Sequence, residues 1–238
     1  MDYRDLETGA TEDFFWFKAK AELIDVLLQK VRGRGRGKIL SIGCGVSKEL
    51  EILKRRGEVY VVDIEPKALA LVRDDLCAEK RLCDVCDGVP YPDASFDMVV
   101  TFDVLEHLEK DSFVVGEIHR VLKPGGTFLF TVPAFQFLFS GHDRALQHRR
   151  RYNRRMLKDL LRDFRCVETG YWVCSLFLPV AVARIAKRHE DNTSIHSPAL
   201  GKSLNGLFYR LLMLENRLIG RGVRLPVGTT IYGVYEAA

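Results

Sequence analysis

Two stretches of this chain group side chains that can bind or activate other molecules. The first is Gly43-Cys44-Gly45, with Asp63 following twenty positions after Gly43. A G-x-G turn lets a ligand approach the backbone, and the helix start behind it offers unpaired N–H groups to a carboxylate or phosphate. An acid at that distance can accept hydrogen bonds from both hydroxyls of a ribose. The combination predicts a site for a nucleoside-containing cofactor. The second stretch is residues 134–152, where His142, Asp143 and His148 precede the basic run Arg149, Arg150 and Arg151. A positioned imidazole can take a proton from an acceptor hydroxyl, and Asp143 can orient one. His107 is a further candidate base, with a structural role in holding a loop as its alternative. Guanidinium forks match phosphate oxygens, so the arginines suit an anionic acceptor, or form a solvated helix start.

The elements around the first stretch read clearly. Residues 39–42 form an apolar run expected as a strand buried on both faces. A helical pattern follows through Leu50 and Leu53, Gly57 ends it, and residues 59–62 make a second apolar strand running into Asp63. The third glycine of a dinucleotide loop is Lys48 here, which argues against nicotinamide and flavin, and no phosphate P-loop is present.

Upstream, residues 11–31 carry Phe17, Ala21, Ile24, Leu28 and Val31 at helical spacing, and RGRGRG (32–37) reads as a flexible basic linker. Downstream, helices are expected over 66–76 and 113–122, a short edge strand over 81–85, and strands over 98–102 and 127–132. Residues 134–152 read as a loop, 154–164 as a helix and 166–177 as a strand. Leu204, Leu207, Phe208, Leu211 and Leu212 mark an amphipathic helix, and TTIYGVY (229–235) a last strand. Alternating strands and helices predict an α/β fold with a Rossmann-like, doubly wound, mostly parallel sheet and helices on both faces.

Composition sets the frame. The chain has 238 residues, 47% apolar and 29% charged, with a net charge of +4. These values fit a globular protein and give no general argument for nucleic acid. The N-terminal MDYRDLETGATED is polar and acidic, and no apolar run reaches the ~20 residues of a membrane span, so a cytoplasmic location is expected. Residues 176–183 and 204–219, rimmed by Arg210, Arg217 and Arg221, either meet a membrane surface peripherally or cap the sheet. The six cysteines include one C-x-x-C, Cys83 and Cys86, without a second pair or spaced histidines. No metal site is predicted from them.

Three motifs in order, ILSIGCGVS (39–47), VLEHL (104–108) and RVLKPGG (120–126), resemble those of class I S-adenosylmethionine-dependent methyltransferases, in the small-molecule, methyltransferase type 11-like branch. The resemblance covers residues 38–133 and matches the antiparallel last strand of such folds to TTIYGVY. It implies a single methyltransferase domain over 1–238, with an N-terminal helix and linker (1–37), a cofactor-binding half (38–133), and an acceptor-side half (134–238) with a helical insertion near 196–220. It also implies S-adenosyl-L-methionine as cofactor. Gly43, Cys44 and Gly45 would pass under the methionine and ribose, Asp63 would hold the ribose, and Ile64 would flank the adenine. Asp84 would accept from the adenine amino group, beside Val85, with a turn-capping role as its alternative. Phe102 and Asp103 would border the methionine portion, with a plain core role as the alternative for Phe102. Two departures stand out: Ser41 replaces the acid before the glycine loop, and Ser47 replaces its third glycine.

The expected activity is methyl transfer to oxygen or nitrogen of a small-molecule or lipid- or sugar-linked acceptor, with His142, His148 and Asp143 as catalytic candidates. The alternative is an RNA-binding protein or RNA methyltransferase using RGRGRG and RRRYNRR. Against it, aromatic residues do not interleave with the basic run as a stacking platform requires.

Overall fold

The computed structural model describes residues 14–31, 37–44, 47–186, 188 and 201–238. Seven strands form one sheet in the order β3-β2-β1-β4-β5-β7-β6. They are β1 (Gly37–Ile42), β2 (Gly57–Asp63), β3 (Glu79–Leu82), β4 (Phe96–Phe102), β5 (Leu122–Pro133), β6 (Phe164–Trp172) and β7 (Thr230–Ala237). Strands β1 to β5 pair in parallel. The last strand, β7, inserts between β5 and β6 and runs antiparallel to both. The strand order reverses beside β1, where β2 lies on one side and β4 on the other. The loops leaving β1 and β4 therefore diverge and open a crevice at the carboxyl edge of the sheet.

Period-two alternation buries both faces of the sheet. Leu40 and Ile42 of β1 join Val99, Phe128 and Phe130 in one core, while Ile39 joins Val100, Phe102 and Leu129 in the other. The first core is covered by α4 (Asp111–Val121) and α6 (Arg154–Leu160). The second is covered by α1 (Phe15–Lys30), α2 (Ser47–Arg56), α3 (Pro66–Leu71) and α8 (Lys202–Gly220). Helices α1 and α8 are joined by an Asn216 Nδ2 donation to the Ala19 carbonyl at 2.8 Å and an edge-on Phe15–Phe208 contact.

The expected elements recur with shifted boundaries. The helix expected over 66–76 stops at Leu71, where Val72 turns extended, and a separate 3-10 turn covers Asp74–Leu76. The strand expected over 166–177 ends at Trp172. There Val173 takes φ +63°, and the N–H groups of Cys174 and Ser175 donate to the buried Glu215 carboxylate of α8. The chain then forms α7 (Phe177–Ala186), with Pro179 in the first turn, where a missing N–H costs nothing. The loop over 134–152 contains a short helix, α5 (Gly141–Ala145), whose N-terminus is closed by Ser140 and Asp143. Leu178, Val182 and Ile185 leave an exposed apolar stripe on α7. Among the described residues no helix is long and apolar enough to cross a membrane. Most of RGRGRG lies outside the described residues.

Candidate functional site

The tips of β1, β2 and β4 converge on the crevice. Gly43 leaves β1 at φ +88°, its N–H donates to the Val62 carbonyl at 2.8 Å, and a Cβ there would lie 2.7 Å from Val104 Cγ2. Only glycine satisfies both the dihedral and the space. Gly43→Ala is expected to cost about 1–3 kcal/mol of stability, read as a lower thermal midpoint. Gly45 lies outside the described residues. Ser41 is buried in β1, and its hydroxyl donates to the Gly43 carbonyl at 2.9 Å, so it buttresses the turn from inside.

Asp63 sits at the tip of β2. One carboxylate oxygen accepts from the Cys44 N–H at 2.8 Å and the other from the Glu65 N–H at 2.9 Å. The carboxylate is thus fixed against the glycine turn, while each oxygen keeps a second lone pair for a ligand. Ile64 beside it is 65% exposed, an apolar surface open at the crevice. The Cys44 thiol is buried and pushed up by that burial and by Asp63, so it stays protonated. Asp84 is exposed after β3 and accepts from the Cys86 N–H at 2.9 Å, capping the turn that buries Val85. These residues fit a nucleoside: an anchored acid, an apolar platform and a second acid line one edge.

At the tip of β4, Phe102 is buried and Asp103 takes φ +55°. One Asp103 oxygen accepts from the Thr131 hydroxyl at 3.1 Å, and the other meets the Lys20 ammonium at 2.8 Å. Lys20, only 2% exposed, also pairs with Glu49 at 3.1 Å and lies over the Trp16 and Phe102 rings. Burial alone would push the Lys20 ammonium down; Asp103 and Glu49 outweigh it and hold the group charged. Lys20 was not foreseen from the sequence, where it is one polar position in an otherwise apolar helix face.

The loop over 134–152 returns along the turn that follows β4. The Arg149 N–H donates to the Glu106 carbonyl at 2.8 Å, the Arg149 guanidinium to the His107 carbonyl, and Arg150 to the carbonyls of Leu108 and Glu109. Arg150 also pairs with Asp111 at 2.8 Å, and the Tyr152 hydroxyl shares its one proton between the Leu105 carbonyl and the Asp111 carboxylate. Arg151 is 2% exposed, bonded to Asp143 at 2.8 Å and to the Ala134 carbonyl at 3.0 Å. The expectation that the three arginines clamp an anionic acceptor needs correction for Arg151, which is buried. Arg149 and Arg150 also bind their own chain, because a loop of this length leaves main-chain carbonyls that need donors.

Asp143 is fully buried and pairs with His148. Its oxygens meet His148 Nδ1 at 3.0 Å, Arg151 Nε and Arg184 Nη1 at 2.8 Å, and the Ser140 N–H at 3.0 Å. Burial opposes ionisation, yet the His148 bond and the two guanidinium groups hold this carboxyl well below its usual range. His148 is lowered by burial despite Asp143. His142 is pushed down to about 4 by burial and Arg184, and His107 to about 3 by burial and its neighbour His148. All three imidazoles are therefore neutral near pH 7, the form a general base requires. The His107 and His148 rings meet edge-on at 4.7 Å. Glu106 beneath them is fully buried, and burial together with Asp103 pushes its carboxyl up to about 8. Its adjacency to His107 in VLEHL was the available signal for this cluster.

Comparison with known proteins follows the same outline. Residues 40–130 match the family described as methyltransferase domain. A protein of Mycolicibacterium smegmatis named a probable S-adenosylmethionine-dependent methyltransferase is 33% identical over 162 residues, covering 64% of this chain and 60% of that protein. A Mycobacterium tuberculosis protein of the same description is 28% identical, covering 74% of this chain and 63% of its own length. The chain thus spans less than two thirds of these relatives. Among solved structures, phosphoethanolamine N-methyltransferase 2 of Haemonchus contortus, in complex with S-adenosyl-L-methionine, superposes with a TM-score of 0.56 at 16% identity. That match covers 91% of this chain and 51% of the other, and shows a shared fold.

Proposed function

We propose that this chain, whose residues 40–130 match a methyltransferase domain, is a class I S-adenosylmethionine-dependent methyltransferase that transfers a methyl group to a hydroxyl of a small-molecule or lipid- or sugar-linked acceptor. The observation that carries the cofactor half is Asp63, held against the glycine turn by the Cys44 N–H at the tip of β2. S-adenosylmethionine, when bound, would supply an electrophilic methyl group on a sulfonium. Asp63 would hold the ribose hydroxyls, Ile64 and Val85 would flank the adenine with Asp84 at its amino group, and Gly43 would allow close approach. Phe102 and Asp103 would border the methionine portion.

The chain's own contribution is then alignment and proton removal. His148 is the favoured base, since Asp143 fixes its Nδ1 and leaves Nε2 facing inward toward Glu106 at 4.0 Å. His142 is the second candidate. Oxygen is favoured over nitrogen as the acceptor atom because a hydroxyl needs such a base. The RNA reading has less support, since Arg149, Arg150 and Arg151 of RRRYNRR contact their own chain.

Calorimetry with S-adenosylhomocysteine and with NAD tests the cofactor assignment. Binding of the former alone is expected, and Asp63→Ala should weaken it at least about tenfold, as a fixed acceptor is lost. NAD binding, or an unchanged dissociation constant in the variant, would contradict the reading.

A further inference from the structure

Glu106 is the most anomalous group among the described residues. It lies in the 3-10 turn Leu105–His107 after β4, is fully buried, and neither carboxylate oxygen has a hydrogen-bond partner. A buried carboxyl without a partner is costly as an anion, so it either keeps its proton or takes a cation. The neighbouring cationic side chains are committed elsewhere: Lys20 to Asp103 and Glu49, Arg151 and Arg184 to Asp143. What faces Glu106 instead is two imidazoles. One ligand atom from each of Glu106, His107 and His148 can be chosen so that all three lie within 4.8 Å of one another. His148 Nε2 is 4.0 Å from Glu106 Oε1.

We infer that Glu106, His107 and His148 form a binding site for a divalent first-row transition cation. Two imidazoles and one carboxylate are a known donor set for zinc and for related metals that keep open positions. A cation about 2.1 Å from each donor needs the donors roughly 3–3.5 Å apart, so the triad closes by about 1 Å on loading. The surroundings are built for this. Asp143 takes His148 Nδ1 and so directs Nε2 toward Glu106, and Arg151 and Arg184 hold Asp143 in turn. A carboxylate partner of this kind orients a metal-binding imidazole and raises its basicity.

The site borders the tip of β4, so its open positions would take oxygen atoms of an acceptor; this extension alone rests on the methyl-transfer reading. A bound cation would lower the pKa of a coordinated hydroxyl; with His148 Nε2 on the metal and Nδ1 held by Asp143, the proton released would pass to water.

The test is direct metal binding by the full chain. Purified protein equilibrated with Zn²⁺ or with Mn²⁺, then desalted, should retain one equivalent per chain by elemental analysis. Competition with a chelator should show at least about a tenfold loss of affinity in Glu106→Gln and in His148→Ala. A Co²⁺-loaded sample should show ligand-field bands without thiolate charge transfer, which separates this site from Cys83 and Cys86. Wild-type protein that retains no Zn²⁺ or Mn²⁺, unchanged affinity in both variants, or a thiolate band would overturn the inference. Should Glu106→Gln fail to fold, His107→Gln gives the same reading on a partly exposed ligand. Homocysteine-nucleoside binding is measured separately with S-adenosylhomocysteine, so a failed metal site and a failed cofactor site give different results.

Discussion

Asp143→Ala is expected to lower stability by about 3–5 kcal/mol, the usual cost of breaking a buried ion pair from one side. The substitution strands Arg151, which is 2% exposed, and leaves Arg184 without its carboxylate. It also removes the acceptor for the Ser140 N–H at the start of α5 and frees the His148 ring. In a chain of this size each kcal/mol moves the thermal midpoint by roughly 2–4 °C, so a fall of at least about 6 °C should appear by calorimetry. Asp143→Asn should fall between the two, since it keeps one acceptor but loses the charge. A midpoint within about 1 °C of wild type would show that the arginines find other partners and that the cluster does not hold the loop.

The second large effect is expected from Lys20→Met. Methionine fills a similar volume over the Trp16 and Phe102 rings but leaves Asp103 and Glu49 facing a buried space without a cation. The loss should again be about 3–5 kcal/mol, measured by urea denaturation. Lys20 also ties α1 to α2 and to the tip of β4, so the helix should loosen and Asp103 should move. Lower affinity for S-adenosylhomocysteine is therefore expected together with the stability loss. A stable variant with unchanged affinity would reduce Lys20 to a packing residue.

The glycine turn and its flanking strands were the legible part of the chain. Residues 37–63 are local: strand, turn, helix and strand each follow from apolar runs and glycine positions within a few residues. Asp63 then falls at a strand tip because the strand before it must pair with β1. The fold class followed in the same way, from alternation of strands and helices along 38–133 and from a β-rich C-terminus. Boundaries were less legible where a distant residue sets them. The end of β6 at Trp172 depends on Glu215, more than forty positions later, accepting from Cys174 and Ser175.

The acceptor side shows the limit most clearly. From residue types alone, three consecutive arginines suit an anion, and Asp143 suits orienting one of the histidines. Side chains adjacent in sequence need not share a target, because the backbone between them turns. Asp143 meets His148, Arg151 and Arg184, while Lys20 of α1 reaches Asp103 at the tip of β4. The amino-acid sequence by itself determined the α/β class, the glycine turn and the placed acid, because those depend on short-range periodicity and dihedral preference. Only the tertiary structure decided which charges neutralise one another and that Glu106 is buried without a hydrogen-bond partner beside two histidines, because burial and pairing are properties of segments brought together by folding.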